Sequence, residues 1–137
     1  LRRALVPEKH FIARWVRDHF SEYWVSECEA AFSRQPVSCF IAIDTTTEPS
    51  ANGLLGFGVY DATMRGFFGP TGVSEAARGR GIGKALLLAC LHDMASQGYG
   101  YAIIGGVGPV EFYEKAVGAT VIPESSPSVY RGLLRSS

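Results

Sequence analysis

The chain has 137 residues, and its 13 basic and 13 acidic side chains give a formal net charge of zero. Hydrophobic residues make up 47% and charged residues 19%, which is typical of a globular domain with a substantial core. The balanced charge does not favour nucleic acid or an anionic membrane as a partner. No apolar run approaches the roughly 20 residues that span a bilayer, and no secretory signal pattern is found. We predict one domain over residues 1–137.

The cysteines and histidines predict neither a disulfide framework nor a metal site. The cysteines are scattered, without a Cys-x-x-Cys pair, and are interpreted as reduced core thiols of a cytoplasmic protein. The histidines lack the spacing of metal ligands, so no metal is expected. These residues are Cys28, Cys39, Cys90, His10, His19 and His92.

A short strand and two helices are predicted for the first third of the chain. Residues 2–6 are interpreted as the remnant of a first strand, and a truncated first strand is left open. Pro7 and Glu8 suit the first turn of a helix whose apolar residues recur at helical spacing. Ser21 is predicted to cap a second helix, which Pro36 closes.

Strands and helices are predicted to alternate after this point. The polar segment 45–53 is predicted to be a loop or hairpin turn. Gly98 and Gly118 are predicted to end the two later helices. Because several strands are linked by hairpins, we expect a mixed sheet. The predicted strands are 37–43, 54–61, 66–73, 101–104 and 120–122, and the predicted helices are 83–97 and 109–117.

A glycine-rich basic segment stands directly before the first of these later helices. Glycine lets the backbone approach a ligand closely and adopt positive φ. The helix start behind it offers unpaired N–H groups and the positive end of the helix dipole. The pattern therefore predicts an anion site, for a phosphate or pyrophosphate. The segment is Arg78-Gly79-Arg80-Gly81-Ile82-Gly83-Lys84.

Two common phosphate-binding motifs are excluded by the spacing. A P-loop requires Ser or Thr after its lysine, whereas Ala85 follows Lys84 here. The spacing from Gly79 to Gly83 is also one residue short of that motif. A dinucleotide-binding fingerprint requires a third glycine, and Lys84 or Leu86 occupies its position.

The segment instead resembles the acyl-CoA pyrophosphate loop of the GNAT superfamily of N-acetyltransferases, together with its lead-in Val73-Ser74-Glu75-Ala76-Ala77. A later segment is similar to the Phe-Tyr-x-Lys-x-Gly segment of the same family. The two motifs occur in the family's order, with a predicted strand between them, so the chain is identified as a member of this superfamily. The later segment is Phe112-Tyr113-Glu114-Lys115-Ala116-Val117-Gly118-Ala119.

The resemblance implies an α/β (α+β) GNAT fold. This fold has a mixed, mostly antiparallel central sheet with splayed fourth and fifth strands and helices on both faces. It implies acetyl-CoA as cosubstrate, with Val73 pairing through its backbone with the pantetheine arm. Tyr113 would protonate the leaving CoA thiolate. The residues implied to bind the pyrophosphate are Arg78, Gly79, Arg80, Gly81, Ile82, Gly83 and Lys84.

The implied reaction is direct acetyl transfer to a primary amine of a small molecule. Cys90 is interpreted as a core residue, and no acyl-enzyme is expected. No general base is assigned, because the fourth strand lacks a carboxylate; Glu75, Asp61 and Glu111 are the nearest acids considered. The resemblance places the acceptor site at the junction of the first two helices. Residues at this junction are His19, Glu22, Tyr23 and Trp24.

Several alternatives remain open at this point. The chain is also compatible with a non-catalytic acyl-CoA-binding or regulatory domain, such as half of a tandem pair. A module that binds ATP through the same loop is a second rival. Many relatives dimerise, so a homodimer is left open. The identity of the acceptor, the acyl group and the extent of the full protein are not predicted.

Overall fold

A computed structural model describes residues 1–135. Contacts group the chain into two compact units, Leu1–Ile103 and Ile104–Ser137. In chain order the elements are β1 (Arg2–Arg3), α1 (Lys9–His19), α2 (Glu22–Ala31), β2 (Cys39–Ile43), β3 (Leu54–Tyr60), β4 (Phe67–Val73), α3 (Ile82–Ser96), β5 (Ile103–Ile104) and α4 (Val110–Val117). Short 3-10 turns occur at Val6–Glu8, Ala51–Gly53 and Glu75–Ala77. None of the helices in residues 1–135 is long and apolar enough to cross a bilayer.

The five strands form one sheet in the order β1-β2-β3-β4-β5. The first three pairings are antiparallel and β4–β5 is parallel, so the predicted mixed, mostly antiparallel sheet is confirmed. The fifth strand has two residues, whereas β4 has seven. The Ile103 N–H donates to the Gly66 carbonyl at 2.8 Å, just before β4 begins. The fifth strand thus accompanies only the beginning of the fourth, as expected for splayed strands.

Helices cover both faces of the sheet, as predicted. Side chains alternate between the faces along a strand. Phe57 of β3 faces α1, where its ring lies 6.2 Å from that of Trp15. Gly56 and Gly58 face α3 instead: a Cβ on Gly56 would lie 3.1 Å from Leu86, and one on Gly58 would lie 3.4 Å from the Cys90 sulfur. The glycines let α3 pack closely on the central strand.

A polar network ties β1 to α3. The Arg3 guanidinium donates to both carboxylate oxygens of Asp93, at 2.9 and 2.6 Å. The Tyr60 hydroxyl also donates to Asp93, and the Gln97 amide donates to Tyr60. The hydrogen bonds from Arg3 lower the pKa of Asp93, and burial raises the pKa of Tyr60 to about 12. The network therefore anchors the C-terminal part of α3 to the sheet.

The N-terminal strand and the helix caps follow the predictions with small shifts. The first strand comprises only Arg2–Arg3, and Glu8 belongs to a 3-10 turn in which its carboxylate accepts the Leu5 N–H at 2.8 Å. The predicted cap of α2 is confirmed, since the Ser21 hydroxyl accepts the Trp24 N–H at 3.4 Å. The third helix begins at Ile82, one residue before its predicted start.

The prediction of a strand over 120–122 is wrong. These residues are irregular in the structure. Val121 and Ile122 are 63% and 53% exposed, so their apolar side chains do not form the half-buried face that defines a strand. The strand predicted over 101–104 is shortened to Ile103–Ile104, and Tyr101 is exposed.

Candidate functional site

The glycine-rich segment forms a tight loop between β4 and α3. After Val73, the Ser74 N–H donates to the Leu55 carbonyl at 2.8 Å, and a 3-10 turn follows. Gly79 and Gly81 then adopt φ values of +82° and +77°. Side chains with a Cβ rarely adopt this left-handed conformation, which explains why glycine stands at both positions.

The start of α3 presents unpaired donors. The first helical hydrogen bond runs from the Ala85 N–H to the Gly81 carbonyl at 3.1 Å. The N–H groups of Ile82, Gly83 and Lys84 precede it and have no partner within the helix. Gly81 occupies the cap position and has no side chain to satisfy them. This arrangement can bind an oxyanion.

The space above the loop is open. A Cβ built on Gly79 or Gly81 would meet no atom within 4 Å. The cations Arg78, Arg80 and Lys84 are exposed and form no salt bridge within residues 1–135. The loop therefore combines positive charge, free N–H groups and room for a phosphate group.

Arg80 also acts on a neighbouring acid. Hydrogen bonds from Thr46 lower the pKa of Asp44, and the positive charge of Arg80 lowers it further. Asp44 follows β2 and is half-buried, whereas Arg80 is exposed. Solvent screens this interaction, so we expect Arg80 to remain available for a ligand.

The last residues of β4 offer an edge for an extended ligand. Val73 pairs with Gly56 of β3 on one side. On the other side, the two residues of β5 accompany only the beginning of β4. Among residues 1–135, the strand order places no other strand on that side. Free backbone groups at such an edge can pair with an extended chain.

The junction of α1 and α2 meets the same end of β4. Phe20 directly follows α1, and its ring lies against Gly72, where any Cβ would overlap it. Phe20 also packs 4.8 Å from the ring of Trp24 and 6.0 Å from that of Phe57. Phe20 is not among the residues that the sequence predicts for the site. The glycine within a strand at position 72 was the available signal of a close approach.

Two of the residues expected to form the acceptor site, His19 and Glu22, are engaged with residues of α1. The His19 ring stacks on Trp15 with centroids 4.2 Å apart, and its Nδ1 lies 2.9 Å from the Trp15 carbonyl. Arg17 donates to the Glu22 carboxylate at 2.9 Å, and both side chains are exposed. Glu22 is therefore paired with Arg17 in the structure, and Trp24 is half-buried.

The acids considered as general bases differ in their surroundings. Asp61 is buried and accepts hydrogen bonds from the Gly66 N–H and the Tyr99 hydroxyl, both at 2.7 Å. Both of its oxygens are thus occupied. Glu75 and Glu111 are exposed. No base is assigned, in agreement with the sequence reasoning.

Tyr113 lies on α4, in the unit Ile104–Ser137, whereas Val73 and the loop lie in Leu1–Ile103. Tyr113 is buried, with its ring edge-on to Phe112 at 5.0 Å. Burial raises the pKa of its phenol, so the group stays protonated at neutral pH. Gly118 ends the helix as predicted, with φ of +68° and its N–H donating to the Glu114 carbonyl at 2.9 Å.

Comparison with known proteins identifies the family. The acetyltransferase (GNAT) family matches residues 8–119, most of the 137-residue chain, so the chain belongs to this family. The fold is similar to that of the ribosomal-protein-alanine N-acetyltransferase from Brucella melitensis biovar Abortus 2308. That match has a TM-score of 0.57 and 14% identity, and covers 88% of this chain and 91% of the other. No curated protein gives a significant match.

Proposed function

We propose that this acetyltransferase uses acetyl-CoA to acetylate a primary amine of a small molecule by direct transfer. The observation that carries the proposal is the loop at the start of α3. Its left-handed glycines have no atom within 4 Å of where a Cβ would stand, and the N–H groups of Ile82, Gly83 and Lys84 that follow are unpaired within the helix. An anionic diphosphate of the kind that coenzyme A carries fits this donor set.

The loop residues have distinct parts in this proposal. Ile82, Gly83 and Lys84 donate their N–H groups to the pyrophosphate. Arg78 and Arg80 add charge-assisted hydrogen bonds. Gly79 and Gly81 let the backbone turn without placing a Cβ between the loop and its ligand. The family assignment supports the same ligand.

Val73 is proposed to bind the cosubstrate through its backbone. Its position at the end of β4, beside the edge that β5 leaves open, suits pairing with the amides of the pantetheine arm. This pairing would orient the arm along the strand. The ring of Phe20, one residue away at Gly72, would then lie beside the entering acceptor.

Tyr113 is proposed as the general acid. Bound acetyl-CoA supplies an acetyl thioester, whose sulfur leaves as a thiolate when the amine takes the acetyl group. A thiolate with a pKa near the roughly 8.5 of cysteine accepts a proton from a phenol held protonated at neutral pH. The raised pKa of Tyr113 keeps the phenol protonated at neutral pH, which is the form a general acid requires.

The acceptor is proposed to be small because the charges balance and no strongly charged surface favours a macromolecule. The structural relative from Brucella is named for acetylating alanine on a ribosomal protein, which makes a protein N-terminus the second candidate acceptor. A non-catalytic acyl-CoA-binding domain and an ATP-binding module remain the rival classes.

The first test is calorimetric titration with acetyl-CoA. We expect micromolar binding by the wild type, and a loss on the order of 100-fold in Gly83→Glu, because a carboxylate repels the pyrophosphate. Gly100→Glu is the matched control: it adds the same charge at an exposed glycine whose Cβ would meet no atom within 4 Å. Equal affinity in the two variants would contradict the loop assignment. Displacement by ATP would indicate the nucleotide-binding module.

Turnover separates the remaining candidates. Release of the CoA thiol should rise with small primary amines and stay low with peptides that begin with alanine. The opposite preference would favour a protein acceptor. Tight acetyl-CoA binding without turnover on any amine would favour the non-catalytic domain.

A further inference from the structure

A cavity lies at the opposite end of α3 from the glycine-rich loop. Its volume is about 370 Å³, within the range of about 300–1,000 Å³ that small-ligand sites occupy. It is lined by the connection between α2 and β2, by the β3–β4 hairpin and by the residues that follow α3. The 15 residues of α3, at about 1.5 Å each, separate it from the loop by about 22 Å. No residue that lines it has a part in the proposed acetyl transfer.

A buried hydroxyl without a partner lines this cavity. Ser38 is 1% exposed, and its Oγ has no hydrogen-bond partner within residues 1–135. Its backbone is fully engaged, because its N–H donates to the Ala31 carbonyl at 3.2 Å and its carbonyl accepts the Tyr60 N–H at 3.0 Å. The hydroxyl is therefore held at the cavity wall by its own backbone. A buried polar group left unpaired is unfavourable, so a ligand that pairs with it gains affinity.

Two arginines stand at the same cavity. Arg34 is half-buried and Arg65 is exposed. Within residues 1–135 neither forms a salt bridge. The guanidinium group presents several donors in a planar fork that matches carboxylate and phosphate oxygens. Two such groups beside an unpaired hydroxyl favour a ligand with several oxygens and negative charge.

The acid in the cavity wall does not favour a cation. Asp61 is buried, and its oxygens accept the Gly66 N–H and the Tyr99 hydroxyl, both at 2.7 Å. These bonds hold the hairpin against the residue that follows α3. The wall therefore carries two cations that lack a salt bridge and one acid whose oxygens are occupied, and the balance favours an anion.

We propose that this cavity binds a small oxyanion, the carboxylate or phosphate group of a metabolite, between Arg34 and Arg65 and against the Ser38 hydroxyl. The site is independent of acetyl-CoA binding. It lies where three segments distant in sequence meet, so its ligand would hold the hairpin, the α2–β2 connection and the end of α3 together.

The test is an amide NMR titration with inorganic phosphate and, separately, with malonate, at constant ionic strength. Phosphate bound at the loop shifts the amides of residues 82–84, whereas phosphate in the cavity shifts those of Ser38, Gly98 and Tyr99. Site-resolved shifts thus separate the two sites whether or not acetyl-CoA binds. We expect saturable shifts of the cavity amides with at least one of the two anions. The one that binds more tightly identifies the preferred group, and linear shifts with both would overturn the proposal.

Variants assign the response to the cavity. Arg34→Gln and Arg65→Gln should each weaken binding about tenfold, since each removes a charge-assisted hydrogen-bond donor. Arg14→Gln, at an exposed arginine outside this cavity, is the matched control and should bind as the wild type does. Unchanged affinity in the two cavity variants would overturn the assignment. Arg65 is exposed, so its variant carries the test if Arg34→Gln fails to fold.

Ser38→Ala gives a second and opposite readout. Without a ligand, removal of an unpaired hydroxyl should leave the melting temperature unchanged or higher. With phosphate or malonate, the same variant should bind several-fold more weakly. A lower melting temperature without ligand and unchanged affinity would show that the hydroxyl serves the fold and not a ligand.

Discussion

The ring of Phe20 lies against the backbone of Gly72, so closely that no side chain larger than hydrogen fits on the strand at that point. Phe20 directly follows α1, and Gly72 precedes Val73 at the end of β4. The contact joins the junction of α1 and α2 to the strand proposed to hold the pantetheine arm. A displacement of either element would therefore displace the other.

Gly72→Ala should destabilise the protein by about 1–3 kcal/mol, because the new methyl group must displace a packed aromatic ring. Urea unfolding measures this change. Gly100→Ala is the control, since a Cβ there meets nothing within 4 Å. In the double variant Gly72→Ala, Phe20→Leu, the loss of stability should be smaller than the sum of the losses in the two single variants, because the smaller leucine side chain leaves room for the methyl group. Simple additivity would argue against a direct clash.

Asp93→Asn should lower stability by about 1–3 kcal/mol at neutral pH, because Arg3 loses its charged partner. Arg3 holds the pKa of Asp93 below its usual value. A depressed carboxyl pKa contributes stability above the unfolded value of about 3.9, and this contribution is lost as pH falls through the folded pKa. The difference between wild type and variant should therefore be constant from pH 5 to 8 and shrink below about pH 4.

A matched carboxylate provides the control for that experiment. Glu22 pairs with Arg17 at 2.9 Å, but their side chains are 73% and 51% exposed. Glu22→Gln should change the free energy of unfolding by less than about 0.5 kcal/mol, because solvent screens such pairs. An equal loss of stability in Asp93→Asn and Glu22→Gln would mean that the Arg3–Asp93 pair stabilises the fold no more than an exposed ion pair does.

Tyr113→Phe should reduce kcat roughly 100-fold and leave the affinity for acetyl-CoA unchanged, since the phenol is proposed to give a proton and not to bind the cosubstrate. A general acid works below its pKa, and burial raises the pKa of Tyr113. The wild type should therefore show no loss of kcat from this group until pH exceeds about 10. An unchanged kcat in the variant would remove Tyr113 from the mechanism.

The three cysteines should be unreactive in the native protein. Cys28, Cys39 and Cys90 are fully buried free thiols, and burial raises the pKa of Cys90. Because the thiolate is the reactive form, a chromogenic disulfide reagent should label them only at the rate of unfolding. Rapid labelling of one thiol, together with loss of activity, would reopen the question of an acyl-enzyme.

The glycine-rich loop could be predicted from sequence because its determinants are local. Neighbouring residues along the chain determine three features: the left-handed φ of Gly79 and Gly81, the helix start behind them and the cap at Ser21. The strand over 120–122 could not be judged in this way, since a strand needs a partner and a buried face.

Contacts between segments that are distant along the chain could not be predicted from the sequence. Arg3 and Asp93 are 90 positions apart, and no pattern in either segment points to the other. The cavity around Ser38 likewise arises where three separate segments meet. The only sign in the sequence of the close approach of Phe20 to Gly72 is a glycine within a strand.

The glycine at position 56 of β3 has a consequence for how this protein tolerates substitution. Side chains of α3 pack directly on this main chain: a Cβ on Gly56 would lie 3.0 Å from the Gly72 carbonyl oxygen and 3.1 Å from Leu86. A side chain at position 56 would push α3 away from the sheet and displace the loop at its start, whereas a Cβ on Gly58 would meet no atom closer than 3.4 Å. In a library of random substitutions, Gly56 should therefore be as intolerant as the loop glycines themselves, although it would not touch a ligand, whereas Gly58 should accept alanine.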